Sequence, residues 1–344
     1  MKAETLLPLG KLDPGLAKFE APLDLSAVPD DSARVDAMGY HAILMEETKD
    51  DPFPVLALAA AATERVHVGT SVSIAFARSP FVAAMSAWTL QKLSRGRFEL
   101  GLGSQVRGHI RRRFGLEWHP PGPWMRDYVG AVRAIWNSGQ TEAPLEYESD
   151  RYNLNLTVPL FTPAPIEHPE IPIQVAALNP YMCSVAAEVA AGVRLHPACS
   201  ARYIREVLQP KMEAPARAGF EVCVKPLIAT AEDAATLRDR AEIARARLAF
   251  YVSTPAYRRA FSNAGLEDLA IQMSELSRQS RWQEMAALVD DDVLHEWVVG
   301  ADYDSLADAI LKRYDGLIDR IEVSIPVADE RDSEILGAIV RALR

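Results

Sequence analysis

Cysteine is scarce: Cys183, Cys199 and Cys223 are the three in 344 residues, far apart and never in a Cys-x-x-Cys pair. Neither a disulfide framework nor a thiolate zinc site is indicated, and a reducing cytoplasm is the expected compartment. Long apolar runs are missing too. The start, Met1-Lys2-Ala3-Glu4-Thr5, has no apolar leader core, and nothing later reaches an uninterrupted membrane-spanning length, so neither secretion nor membrane insertion is expected. Basic residues are outnumbered, 37 Lys and Arg against 47 Asp and Glu for a net charge of −10. No domain-wide basic surface is left to displace counterions, which argues against general binding of nucleic acid or acidic membranes. Several catalytic signatures are also absent: no His-x-His after the first strand, no His-Glu-x-x-His, no phosphate loop ending in Gly-Lys-Ser/Thr, and no Gly-x-Ser-x-Gly elbow. The chemistry is therefore expected to need neither a bound metal nor a covalent serine, and a carried-in redox cofactor is the economical choice.

What is present is an ordinary globular composition, 49% apolar and 24% charged, at a length that α/β barrels reach as one unit. A single domain over residues 1–344 is expected. Strand and helix signals alternate. Thr5–Leu9 reads as a first strand and Val28–Met38 as a helix closed by Gly39. His41–Met45 follows as a strand ending in Glu46-Glu47, then Pro54–Glu64 as an alanine-rich helix. Strand Val66–Val72, helix Pro80–Ser94 and strand Arg97–Leu102 continue the series. After helix Met125–Trp136 the proline-rich stretch 137–172 reads as a rim insertion with a hairpin around Ser149-Asp150. Strands Ile173–Ala176, Val193–Leu195, Val222–Ala229 and Arg320–Ile325 complete eight, and residues 251–294 read as a helical, lid-like insertion. Strands separated by helices build right-handed parallel units, and eight of them favour a (β/α)₈ TIM barrel over an open sheet.

Barrel enzymes place function where strands end. Those ends supply Glu46 and Glu47, Ser71 and Val72, the run Gly103-Ser104-Gln105 with Arg107 and His109, the run Ala176-Ala177-Leu178-Asn179, and His196. Singly, Glu46-Glu47 also suits a helix start and His196 an ordinary loop; convergence on one rim is what favours a site. Gly101 and Gly103 remove side chains at a strand tip, which would let a flat ring or a phosphate approach the main chain. Arg107 to Arg113 is the densest basic cluster in an acidic chain. Arg107 and Arg111 share a face if the segment is helical, in a form suited to an anionic cofactor tail or equally to a solvated surface or subunit contact. Asn179-Pro180 opens a helix directly after a strand, where free N–H groups attract phosphate.

The segments Ala37-Met38-Gly39-Tyr40-His41-Ala42-Ile43-Leu44-Met45-Glu46, Val68-Gly69-Thr70-Ser71-Val72 and Gly96-Arg97-Phe98-Glu99-Leu100-Gly101-Leu102-Gly103-Ser104 resemble the luciferase-like monooxygenase superfamily. The branch they are most similar to uses coenzyme F420, a deazaflavin hydride carrier. Further matches at Ile171–Ala177 and Ala187–Val193 extend the likeness over about residues 33–200. The resemblance implies a luciferase-type barrel holding the ring at the strand ends, with a non-prolyl cis peptide behind it near Ser71-Val72. It also implies Glu46, Glu47 and His109 beside the cofactor, its phosphate at Ala176 to Asn179, and a homodimer. Val106 stands near the position where sugar-phosphate dehydrogenases of this branch carry a glutamate acid, which argues against that substrate class. Ala191 replaces the usual acidic residue before Gly192, and nothing in the sequence explains that change. The implied reaction is hydride transfer to or from a small, apolar organic substrate, with His109, Glu47 and His196 as candidate acid or base. Reduced FMN with oxygen, in a monooxygenase, is the nearest alternative; a non-catalytic flavin-binding relative is a third.

Overall fold

In the computed structural model, residues 1–11, 22–213, 215–216 and 218–344 are described. Eight parallel strands close on themselves: β1 (Lys2–Leu6), β2 (Ala42–Met45), β3 (His67–Thr70), β4 (Phe98–Gly103), β5 (Ile173–Ala177), β6 (Gly192–Leu195), β7 (Glu221–Val224) and β8 (Arg320–Glu322). Each pairs with the next in sequence, and β8 pairs with β1. The expected TIM barrel is therefore the fold. Its principal helices are α1 (Val28–Met38), α2 (Pro52–Ala61), α3 (Pro80–Leu93), α4 (Arg107–Arg112), α5 (Pro121–Thr141), α6 (Pro180–Val189), α7 (Ala234–Ser253), α8 (Leu306–Tyr314) and α9 (Glu330–Ala342). α1 stops at Gly39, whose φ of 84° is the left-handed conformation that glycine adopts without a steric penalty.

The apolar residues of the strands face outward. Ile43, Val68, Leu100, Val175, Val193 and Ile321 pack with the helices in one large core, whereas Leu6, Ala42 and Leu44 form a small separate cluster. The bore is mostly polar. Arg194 Nη2 donates to Glu4 Oε2 at 2.6 Å, and Arg320 Nη1 donates to Glu99 Oε2 at 2.6 Å and to Glu4 Oε1 at 3.1 Å. Gln174 accepts from Arg194, and Arg320 Nε donates to Glu221 Oε2 at 2.7 Å. Alternation along each strand explains the pattern, since one face meets helices and the other meets opposing strands.

Two expected elements moved. The first strand is Lys2–Leu6 and not Thr5–Leu9: Pro8 has no N–H for the ladder, and the charged Glu4 lies inside the barrel. The expected strand Val222–Ala229 is two, β7 and Leu227–Ala231, interrupted at Lys225-Pro226. Residues 227–231 pair in parallel with Val298–Asp302, and around this pair α7 and the helices between 255 and 297 bury Leu248, Phe261, Met273, Met285 and Trp297 in a core of their own. Trp297 Nε1 ties that core to the barrel by donating to the Ala198 carbonyl at 2.8 Å. The hairpin pairs Tyr147–Glu148 with Asn153–Leu154, and the chain then runs along α3, where Trp88 and Gln91 donate to the carbonyls of Ala164 and His168.

Gly101 corrects an expectation. The space above it is taken by the neighbouring strand, and a Cβ there would lie 2.0 Å from the Thr70 carbonyl oxygen. At Gly103 a Cβ would lie 2.5 Å from Val72 Cγ2. Both glycines are needed to admit the bent end of β3, and at Gly101 that strand leaves no room for a ligand. Gly101→Ala should therefore cost about 3 kcal/mol or prevent folding, whereas Gly219→Ala, with open space around it and φ of 80°, should cost about 1–2 kcal/mol. Urea unfolding of both variants checks the order.

Candidate active site

The strand ends meet at one mouth. β3 bends there: the Ser71-Val72 peptide is cis, as the resemblance implies, and the chain resumes extended pairing at Ser73–Ile74 beside β4. Ser71 Oγ accepts from Arg194 Nε at 3.0 Å, so the charged bore reaches up to the bend. Glu47 secures it from the other side. Its carboxylate accepts from Ser73 Oγ at 2.9 Å, the Ile74 N–H at 2.8 Å and Arg78 Nη2 at 3.1 Å. A carboxylate with this many donors is a clamp on the loop and is poorly placed to act as the acid or base expected of it.

Glu46 takes part in a different group. Its oxygens accept from Lys225 Nζ at 2.8 Å and Lys11 Nζ at 3.3 Å. Burial would raise its pKa, but the two lysines outweigh that and hold it down at about 2. Lys225, at the end of β7, also faces Glu322 Oε1 at 3.4 Å, and these carboxylates keep it cationic despite burial. The second oxygen of Glu322 is buried and lacks a hydrogen-bond partner among the described residues. Burial, only partly offset by Lys225, raises the Glu322 carboxyl above its ordinary value. Lys225 and Glu322 were missed because each has no charged residue directly beside it in sequence, in Val224-Lys225-Pro226 and Ile321-Glu322-Val323. The period of two that places them in the bore is the signal that finds them.

His196, at the end of β6, stands edge-on to Tyr251 at 4.8 Å between ring centroids and against Tyr257 at 4.2 Å. Its Nδ1 accepts from the Ala198 N–H at 3.1 Å, which leaves Nε2 as the protonated nitrogen of the neutral ring. Burial, helped by the charges of Lys225 and Arg247, pushes its pKa down to about 3. At neutral pH it is a hydrogen-bond donor without charge.

The remaining candidates lie along the same mouth. Ser104 and Gln105 follow β4, Gln105 in the left-handed region at φ 56° with its side-chain oxygen accepting from the Val106 N–H at 2.8 Å. Arg107 and His109 are exposed on α4, and the Arg107 guanidinium lies 5.5 Å from the Trp118 ring. Arg107, Arg111 and Arg112 make no ion pair among the described residues, whereas Arg113 donates to the Thr48 carbonyl. Ala177 turns its side chain into the outer core, so it offers only its main chain. Ala176 and Leu178 are half-buried, and Asn179 caps α6 by accepting from the Met182 N–H at 2.9 Å.

The luciferase-like monooxygenase family matches residues 17–320. The chain belongs to that family. An uncharacterized protein of Mycobacterium tuberculosis is 36% identical over 329 residues, 94% of this chain and 96% of its own. A second protein of the same organism, provisionally named a coenzyme F420-dependent oxidoreductase, is 28% identical over 79% of this chain and 83% of its own. Among solved structures, the coenzyme F420-dependent tetrahydromethanopterin reductase of Methanopyrus kandleri superposes with a TM-score of 0.71, covering 98% of this chain and 96% of that one at 19% identity. That likeness is one of fold. No helix among the described residues of this luciferase-like protein is long and apolar enough to cross a membrane.

The state of His196 has a consequence for acid stability. The unfolded chain takes up its proton near the ordinary value of 6.5, whereas the folded chain does so only near 3. This contribution is therefore full above pH 6.5 and is lost as pH falls toward 3, at up to about 1.4 kcal/mol per pH unit. His196→Asn should flatten that part of the slope, as measured by denaturant unfolding at a series of pH values; an unchanged slope would contradict the burial described.

Proposed function

We propose that this protein is an oxidoreductase transferring a hydride between a deazaflavin, coenzyme F420, and a small organic substrate at the strand-end mouth of its barrel. The observation that carries the proposal is the group Arg107, Arg111 and Arg112 on α4, cationic and without acidic partners among the described residues, beside the tip of β4. An anionic tail bearing phosphate and carboxylates suits such guanidinium groups. The relative at 28% identity supports the same cofactor by its name.

The donor set fits a ring with polar edges and an anionic tail. Val72 would lie behind the ring, Ser71, Ser104, Gln105 and Glu46 would hold its edges, and Ala176 to Asn179 with the start of α6 would hold the phosphate. Arg107 and His109 would hold the tail. The buried unpartnered oxygen of Glu322 marks a position that a polar group of a ligand would complete. When bound, a deazaflavin supplies one hydride-carrying carbon. The chain's own part is to hold the substrate against that carbon, exclude water and move one proton. Tyr251 and Tyr257, packed on His196, cover the β6 side of the mouth. Glu322, whose carboxyl burial raises above its ordinary value, is our candidate for moving that proton, and His196 donates a hydrogen bond through Nε2. His109, exposed on α4, is better placed for the tail than for proton transfer.

Titration of the purified protein with F420 and with FMN, followed by turnover with and without oxygen, tests this. Saturable F420 binding that weakens at least about tenfold in Arg107→Ala/Arg111→Ala, with a shallower dependence on salt, is expected. Preference for FMN with oxygen consumption would replace the proposal by the monooxygenase reading that the family name carries. Glu322→Gln should lower kcat at least about tenfold while leaving the cofactor Kd within about twofold; a near-normal kcat removes Glu322 from proton transfer.

A further inference from the structure

At the opposite mouth, where the strands begin, three side chains each turn one buried polar atom, without a hydrogen-bond partner among the described residues, toward a common point. His41 precedes β2, His67 opens β3 and Glu99 is the second residue of β4. The parallel register sets them side by side, with Ala42 opposite His67 and Gly69 opposite Glu99. Glu99 Oε1 lies 3.0 Å from His67 Nδ1 and 3.8 Å from His41 Nε2, and the three atoms all fall within 4.8 Å of one another. All three atoms are closed off from solvent, and none makes a well-aligned hydrogen bond among the described residues. Glu99 itself is only 2% exposed.

The other oxygen of Glu99 is fixed by Arg320 Nη1 at 2.6 Å and Gln174 Nε2 at 3.3 Å. These contacts turn Oε1 toward the two imidazoles, as the outer partners of a metal ligand do. Two imidazole nitrogens and one carboxylate oxygen form the donor set taken by zinc and neighbouring divalent first-row ions, with solvent completing the shell. Bonds of about 2 Å around a tetrahedral ion put ligand atoms about 3.3 Å apart, between the two separations from Glu99 Oε1. We infer that His41, His67 and Glu99 form a binding site for one divalent transition-metal ion at the strand-start mouth of the barrel. An ion there ties together the beginnings of β2, β3 and β4. The layer of Glu4 and Arg194 separates it from the strand-end mouth, so the site is structural and independent of the proposed hydride transfer. The Arg320 charge already shared by Glu99 tempers affinity, to the order of micromolar.

The test uses the full chain without a polyhistidine tag, stripped with chelator and titrated with zinc(II) alone. One equivalent should bind and raise Tm by several degrees, and X-ray absorption at the zinc edge should show two imidazoles with oxygen ligands and no sulfur. His41→Ala and His67→Ala should each weaken binding at least about tenfold while binding of cofactor at the other mouth is unchanged. No saturable binding to the wild-type chain, or bound zinc with fewer than two imidazoles, overturns the inference and leaves a plain contact between His67 and Glu99. The absorption experiment needs no variant, so it holds even if a substitution impairs folding.

Discussion

Two arginines crossing the bore of the barrel set the terms for everything around them. Arg194 from β6 and Arg320 from β8 are almost fully buried, and they are tolerated only because Glu4 and Glu99, on opposing strands, meet them at hydrogen-bonding distance. Removing one member would leave an uncompensated buried charge, which is far costlier than losing a pair outright. Such a network therefore demands one register for four strands at once. From the same Arg194 a further donor reaches Ser71, so the geometry of the mouth is fixed from below.

This arrangement divides the strand faces by task. Outward positions carry the apolar contact that holds helices to the barrel, and inward positions carry charge in stacked layers. The lower layer joins Glu99, Arg320 and Glu221; the middle one joins Glu4 and Arg194; the upper one joins Glu46, Lys225 and Glu322. A polar bore provides preoriented groups at the rim without recruiting them from mobile loops, which is how precise sites are kept rigid. Where an apolar bore would offer shape alone, this one offers charge of both signs.

Much of the framework was legible. Alternating strand and helix signals with glycine and proline at element ends led to the barrel, Gly39 and the hairpin at Ser149-Asp150 lie where the sequence places them, and the bend at Ser71-Val72 lies where the family resemblance implied it. The site was read only along its edge. Glu46, Ser71, Gly103, Asn179 and His196 are at strand ends, where topology alone brings residues together. Lys225, Glu322, Arg194 and the tyrosines over His196 depend on which side of a strand, or which turn of a distant helix, faces the mouth. A short apolar run hides that parity. Gly101 was read as room for a ligand when it is room for a neighbouring strand, a distinction that only the approach of Thr70 reveals.

The segment from Leu227 to Asp302 has its own buried nucleus and is moored to the rest by hydrogen bonds such as Trp297 to Ala198 and Arg313 to the Glu296 carbonyl. Its packing can thus be rewritten with little disturbance to the frame beneath. Since this cap also brings Tyr251 and Tyr257 over His196, any change in how it packs is felt at the β6 edge of the opening while the foundations stay as they are.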